Sequence, residues 1–183
     1  MGKNKNSEFS VVDKRTGKTV AVDSLEEVEM YEWLDYALEK GIVRDFIYRP
    51  DTFRLSEPVD ITNSKGKKRS LFREHVYSPD FKIVIDRSRI DLLDELKCDW
   101  SDFKEGVYNA WIDVKGTFNR NSRSFSIDQK WVWSKYGIYV HKVIPKKFFQ
   151  KFGIRKEFLL TRKTGKPSAK YQGFPLVDDV FGV

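Results

Sequence analysis

The apolar residues of this chain fall in short runs rich in β-branched and aromatic side chains, at residues 81–85, 110–114 and 138–144. Each is bounded by Gly, Pro or a polar cluster, which is the pattern of strands rather than of long buried helices. Stretches with 3.6-residue periodicity stand before and after them. Helices flanking a cluster of strands imply a layered α/β domain with a central mixed sheet. With 183 residues the chain suffices for one domain with a proper core. Its 14 Phe, 8 Tyr and 5 Trp can fill that core, which excludes a wholly disordered chain. No apolar run approaches the roughly 20 residues of a membrane span, so no membrane partner is expected.

Local signals divide the chain further. Residues 9–22 read as a β-hairpin around Lys14-Arg-Thr-Gly17. A helix is expected over residues 24–40, with Ser24-Leu-Glu-Glu27 as a capping box and Gly41 just past its end. Residues 43–48 and 52–55 look like strands broken by Pro50, and residues 57–70, with Lys65-Gly-Lys-Lys-Arg69, like a polar loop. Residues 86–108 hold seven acidic against four basic side chains and read as an insertion with a short helix near residues 90–96. Further helices are expected at 126–135 and 146–152, and residues 161–183 as a C-terminal arm over the surface. The N-terminal residues are polar without an apolar segment, and Cys98 is the single cysteine. Both fit a reducing, cytoplasmic location, the host cytoplasm if the chain is phage-encoded.

Charge is distributed unevenly. Residues 1–110 carry 19 Lys/Arg against 22 Asp/Glu, whereas residues 111–183 carry 15 against 5. A basic half interleaved with aromatics suits a polyanion, nucleic acid first. Arg120, Arg123, Lys130, Lys142, Lys146 and Lys147 are the leading phosphate contacts, with Lys151, Arg155 and Lys156 behind them. His75 and His141 lack metal-ligand spacing, and Cys98 has no basic neighbour in sequence to activate it. Trp131 and Trp133 read as core and rim packing.

One pair of motifs carries chemistry. Pro79 in Ser78-Pro-Asp80 fixes φ and delivers Asp80 to the following strand in a rigid pose. In Ile112-Asp-Val-Lys-Gly116, Asp113 and Lys115 share one face of a strand. Adjacent strands would bring Asp80 and Asp113 together, and converging carboxylates need a cation between them. Oxygen-only ligands select a hard ion, Mg²⁺ or Mn²⁺.

This pattern, with a Ser-x-x-Glu helix upstream, resembles the PD-(D/E)XK nuclease superfamily, including small phage-type and Holliday-junction-resolving endonucleases. The resemblance spans about residues 22–145 and implies a restriction-endonuclease-like fold. It implies a metal-dependent endodeoxyribonuclease with Glu27, Asp80, Asp113 and Lys115 as catalytic residues. Mg²⁺, for which Mn²⁺ would substitute, would be held by Asp80, Asp113, the carbonyl of Val114 and Glu27. Asp113 stands where many members have Glu. Glu26 shares the start of the same helix, and only the family offset selects Glu27; Glu29 and Glu32 are expected to face solvent. DNA is the implied partner. A homodimeric junction resolvase and a non-catalytic nucleic-acid-binding module are the alternatives.

Overall fold

A computed structural model describes residues 9–93, 104–116 and 122–183, the side chains of 122 and 123 excepted. Its centre is a mixed four-stranded sheet. Strands β3 (Asp45–Tyr48), β8 (Phe81–Asp86) and β9 (Val107–Val114) pair antiparallel, and β10 (Val140–Val143) adds parallel to β9, giving the order β10-β9-β8-β3. Helix α1 (Leu25–Glu39) covers one face and α2 (Ser122–Tyr136) the other, so the protein is a layered α/β domain.

Strand alternation divides the two cores. Phe81, Ile83 and Ile85 of β8 and Ala110, Ile112 and Val114 of β9 face α1, where they meet Val28, Tyr31, Leu34 and Ala37. A smaller cluster on the opposite face joins Phe125 and Val132 of α2 to Val140 and to Phe53 and Leu55. The last two lie on β4 (Phe53–Ser56), which pairs with β7 (His75–Tyr77) beneath α2. Helix α1 starts as its sequence predicts: the Ser24 hydroxyl accepts from the Glu27 N–H at 3.1 Å, and Gly41 follows its end with φ of +68°. A hairpin of β1 (Phe9–Val12) and β2 (Thr19–Val22) packs against the helix.

Several elements differ from the sequence expectation. Residues 57–70 are no loop: β5 (Val59–Thr62) and β6 (Lys68–Phe72) form an antiparallel ribbon exposed along its whole length. Helix α2 begins four residues earlier than expected. Among the described residues of 86–108 the helical part is a 3₁₀ segment, Arg87–Leu92, and β9 already begins at Val107; residues 94–103, with Cys98 and the end of the expected helix, lie outside the described residues. Trp131 and Trp133 are both substantially exposed, so they do not fill the core.

The C-terminal segment, expected as an arm over the surface, runs largely exposed but is anchored at several points. After α3 (Pro145–Phe152), Ile154 donates to the Pro175 carbonyl and accepts from Val177, at 2.8 and 3.0 Å. Tyr171 and Val177 are buried, and α4 (Val177–Phe181) contacts α3. Glu29, expected in solvent, is buried and accepts from Lys170 Nζ at 2.6 Å and the Tyr171 hydroxyl at 2.5 Å. Glu32 accepts from both terminal nitrogens of Arg162. Both glutamates therefore clasp the C-terminal segment to α1. Among the described residues, no helix is long and apolar enough to cross a membrane.

Gly153 locks this clasp. Its φ is +80°, and a Cβ there would stand 2.6 Å from the Leu176 carbonyl carbon. Trp33 Nε1 donates to its carbonyl at 3.1 Å. Gly153→Ala is expected to lower stability by about 2–4 kcal/mol. Gly41→Ala, with open space around the added carbon, should cost only about 1–2 kcal/mol. Urea unfolding of the two variants measures the difference, and equal destabilisation would contradict the packed clasp.

Candidate active site

The β8–β9 register builds the site. Phe81 pairs with Ile112, so one step further Asp80 stands opposite Asp113, and alternation points both away from α1. Asp80 is anchored on two sides. Its carbonyl accepts from the Arg49 N–H, and its Oδ2 accepts from the Val114 N–H, each at 2.7 Å. Asp113 is 1% exposed. Lys115 Nζ donates to its Oδ1 at 2.5 Å and the Tyr77 hydroxyl to its Oδ2 at 2.7 Å. The Lys115 N–H continues the ladder to the Val143 carbonyl at 2.8 Å. Of the four residues proposed from sequence as one set, Asp80, Asp113 and Lys115 are thus brought together.

Electrostatics here are strained. Burial pushes the Asp80 carboxyl far above the usual carboxylate range, past neutrality. The Asp113 charge, a hydrogen bond shared with Asp113 and the more distant Glu27 push it the same way, while the Val114 N–H opposes them. Burial and the Asp113 charge raise the Tyr77 hydroxyl too, which keeps it a donor. Two adjacent carboxylates with one ammonium are short of positive charge, and all their ligand atoms are hard oxygens. A carboxylate offers about four acceptor positions, so the bonds from Lys115, Tyr77 and Val114 leave room for a cation. The donor set therefore fits Mg²⁺ or Mn²⁺.

Glu27 sits differently. Its carboxylate accepts from the Tyr48 hydroxyl at 2.7 Å, the Asp23 N–H at 3.2 Å and the Ser24 hydroxyl at 3.0 Å. It closes the helix cap and acts on Asp80 through its field. Among the described residues, no three His, Cys, Asp or Glu side chains converge as a ready-made cage. Glu26 reaches the motif loop, its Oε1 3.2 Å from where a Cβ on Gly116 would be. A side chain at 116 would need the Glu26 carboxylate to give by a few tenths of an ångström.

The basic residues are placed unequally. Lys142 and Lys115 both lie near the Phe125 ring, at 6.0 and 5.9 Å from its centroid. Beside them a cleft of about 540 Å³ opens between α2, β10 and α3, with Lys142, Lys147 and Lys151 on its walls. Lys146 is exposed on the first turn of α3. Lys130 is exposed beside Trp133 in an adjoining hollow that shares Gln129 and Tyr139 with the cleft. Gln129 donates to the Val140 carbonyl at 2.5 Å, a structural bond. Arg155 is structural as well, bonded to the Glu32 carbonyl and paired with Glu157. Arg120 and the Arg123 side chain lie outside the described residues.

Sequence reasoning missed Tyr77, three residues before Asp80, although the His75-Val-Tyr77 strand already led into the motif. It also missed the exposed pair formed by His75 Nε2 and Asp128 Oδ1 at 2.8 Å, with the His75 ring stacked on Trp131. No protein family, curated protein or solved structure matches the chain.

Because native Asp80 holds its proton to higher pH than an unfolded aspartate near 3.8, the native state binds more protons above that value. Stability must then fall as pH rises through the window between them. Asp80→Asn, which cannot ionise, should unfold at a higher temperature than the wild type at pH 8 in EDTA. The gain should be about 2–4 °C for each kcal/mol relieved and should shrink toward pH 4. Calorimetry showing no gain at pH 8 would contradict the buried charge.

Proposed function

We propose that this protein is a metal-dependent endodeoxyribonuclease with a restriction-endonuclease-like core. The observation that carries the reading is the contact of Asp80 with Asp113, with Lys115 bonded to the latter, at the adjoining ends of two paired strands. The order of elements supports it: helix α1, antiparallel strands carrying the two aspartates, helix α2, then the parallel strand β10. This agrees with the resemblance of Ser78-Pro-Asp80 and Ile112-Asp-Val-Lys-Gly116 to PD-(D/E)XK nucleases.

Asp80, Asp113 and the Val114 carbonyl would hold the Mg²⁺ or Mn²⁺. Once bound, it would polarise the scissile phosphoryl group and favour deprotonation of the attacking water. The chain's own residues do the rest. Tyr77 fixes the plane of the Asp113 carboxylate. Lys115, on the same strand face, reaches the attacked phosphate and stabilises the negative charge that grows on its oxygens. Water adds to phosphorus, the phosphorus–oxygen ester bond breaks, and the leaving oxygen takes up a proton from solvent. Lys142, Lys146 and Lys147 would grip the backbone on the β10 side, and Lys130 from the middle of α2. Glu27 shapes the field at Asp80, its carboxylate already accepting from Tyr48, Asp23 and Ser24.

The test incubates supercoiled plasmid, linear duplex and a four-way junction with the protein in Mg²⁺ or in EDTA. Cleavage in Mg²⁺ alone is expected, and symmetric cleavage restricted to the junction would assign a resolvase. Asp80→Asn, Asp113→Asn and Lys115→Ala should each lower the rate by about 10²–10³ or more with circular dichroism unchanged. Wild-type protein that leaves every substrate intact in both Mg²⁺ and Mn²⁺ would overturn the reading.

A further inference from the structure

The β5–β6 ribbon takes no part in either core. Every residue of both strands is exposed, including Val59, Ile61, Leu71 and Phe72 at 42–62%. A two-stranded ribbon with both faces in water gains nothing from burial, and such hairpins are marginal on their own. Its sequence is as unusual as its exposure. From Ile61 to Arg73 there are five cations, Lys65, Lys67, Lys68, Arg69 and Arg73, and no acid. The first four gather toward the tip, because Thr62 pairs with Lys68 and Ile61 with Arg69, while Arg73 follows the root, where Val59 pairs with Phe72.

The tip is built, not loose. Asn63 Oδ1 accepts from the Lys65 and Lys67 N–H groups, both at 3.0 Å. The Asn63 N–H donates to the Lys67 carbonyl at 3.0 Å and Gly66 donates back to the Asn63 carbonyl at 2.9 Å. Gly66 supplies the φ of +75° that the turn requires. The cations are thus presented on an ordered turn, which reduces the ordering entropy a ligand must overcome. Five extended residues carry the tip about 17 Å from its root. That root is tied to the catalytic centre: the ribbon's strands continue from β4 and into β7, and β7 carries the Tyr77 that bonds Asp113.

We infer that the β5–β6 ribbon is a second DNA-binding element, which engages duplex DNA away from the scissile phosphate through Lys65, Lys67, Lys68 and Arg69. The charge run calls for a polyanion, and the major groove of B-form DNA admits a two-stranded ribbon. The cations hold phosphates, while Ile61, on the same strand pair as Arg69, offers apolar surface to sugars and base edges. The choice of DNA among polyanions rests on the nuclease reading; the docking of a polyanion on the ribbon does not.

Fluorescence anisotropy with a labelled 30-base-pair duplex in EDTA isolates binding from cleavage. The quadruple variant K65A/K67A/K68A/R69A changes only exposed side chains, and its melting temperature checks the fold. Its affinity is expected to fall about tenfold or more at moderate salt. The slope of log K against log salt should flatten by about 3.6, at about 0.9 for each of the four phosphates no longer neutralised. A variant carrying arginine at the three lysine positions should keep wild-type affinity. Unchanged affinity and slope in the quadruple alanine variant would overturn the inference. So would sedimentation showing that this variant no longer dimerises while it binds DNA as before, which would assign the ribbon to a second copy of the chain. Absence of cleavage in Mg²⁺ alongside ribbon-dependent binding would sink the nuclease and leave the ribbon standing.

Discussion

A single antiparallel register, Phe81 against Ile112, holds the two aspartates together. Slipped by one residue, that pairing would turn Asp113 into the α1 core and set Val114 beside Asp80. The register is fixed from the opposite side of the sheet. Phe81, Ile83, Ile85, Ala110, Ile112 and Val114 are all buried against α1. A one-residue slip cannot keep both strands' apolar faces on that side. The apolar core and the polar site are therefore two consequences of one alternation pattern, read from opposite faces of β8 and β9.

The site carries unfavourable electrostatics that this core must outweigh. Burial and the neighbouring carboxylate both oppose ionisation of Asp80, and the single ammonium of Lys115 offsets part of that charge. Such an arrangement makes sense where a missing positive charge arrives with a ligand, since its binding then relieves what folding stored. The C-terminal clasp contributes in the same sense. Trp33 bonded to Gly153, and Glu29 bonded to Lys170 and Tyr171, hold α1 against the far end of the chain. That leaves the helix a rigid support for the sheet.

What is legible in the sequence is whatever depends on neighbours along the chain. The first hairpin, the capped start of α1 with Gly41 after its end, and the motif strands follow from turn residues, capping and alternation. The meeting of Asp80 with Asp113 can be anticipated because each motif sits at a strand end. The burial of Glu29 cannot, since its partners lie 141 and 142 residues away and no local pattern marks them. Tyr171 and Val177 are hidden for the same reason, within a stretch whose Lys, Gly and Pro content suggests a free arm. The ribbon escapes a reading by pattern because both its faces are wet, so its polarity imitates a loop; the turn from Asn63 to Gly66 is its one local sign. Trp131 and Trp133 show the opposite failure: side chains that usually pack inward are exposed on α2.

Asp80 and Asp113 would together form one site for a hard divalent cation. Electron paramagnetic resonance of free Mn²⁺, titrated into DNA-free protein, tests it without reference to cleavage. The wild type is expected to remove the free-ion signal until a site saturates, whereas Asp80→Asn and Asp113→Asn should each abolish that uptake while remaining folded. Uptake of the same size in both variants, or none in the wild type, would contradict it.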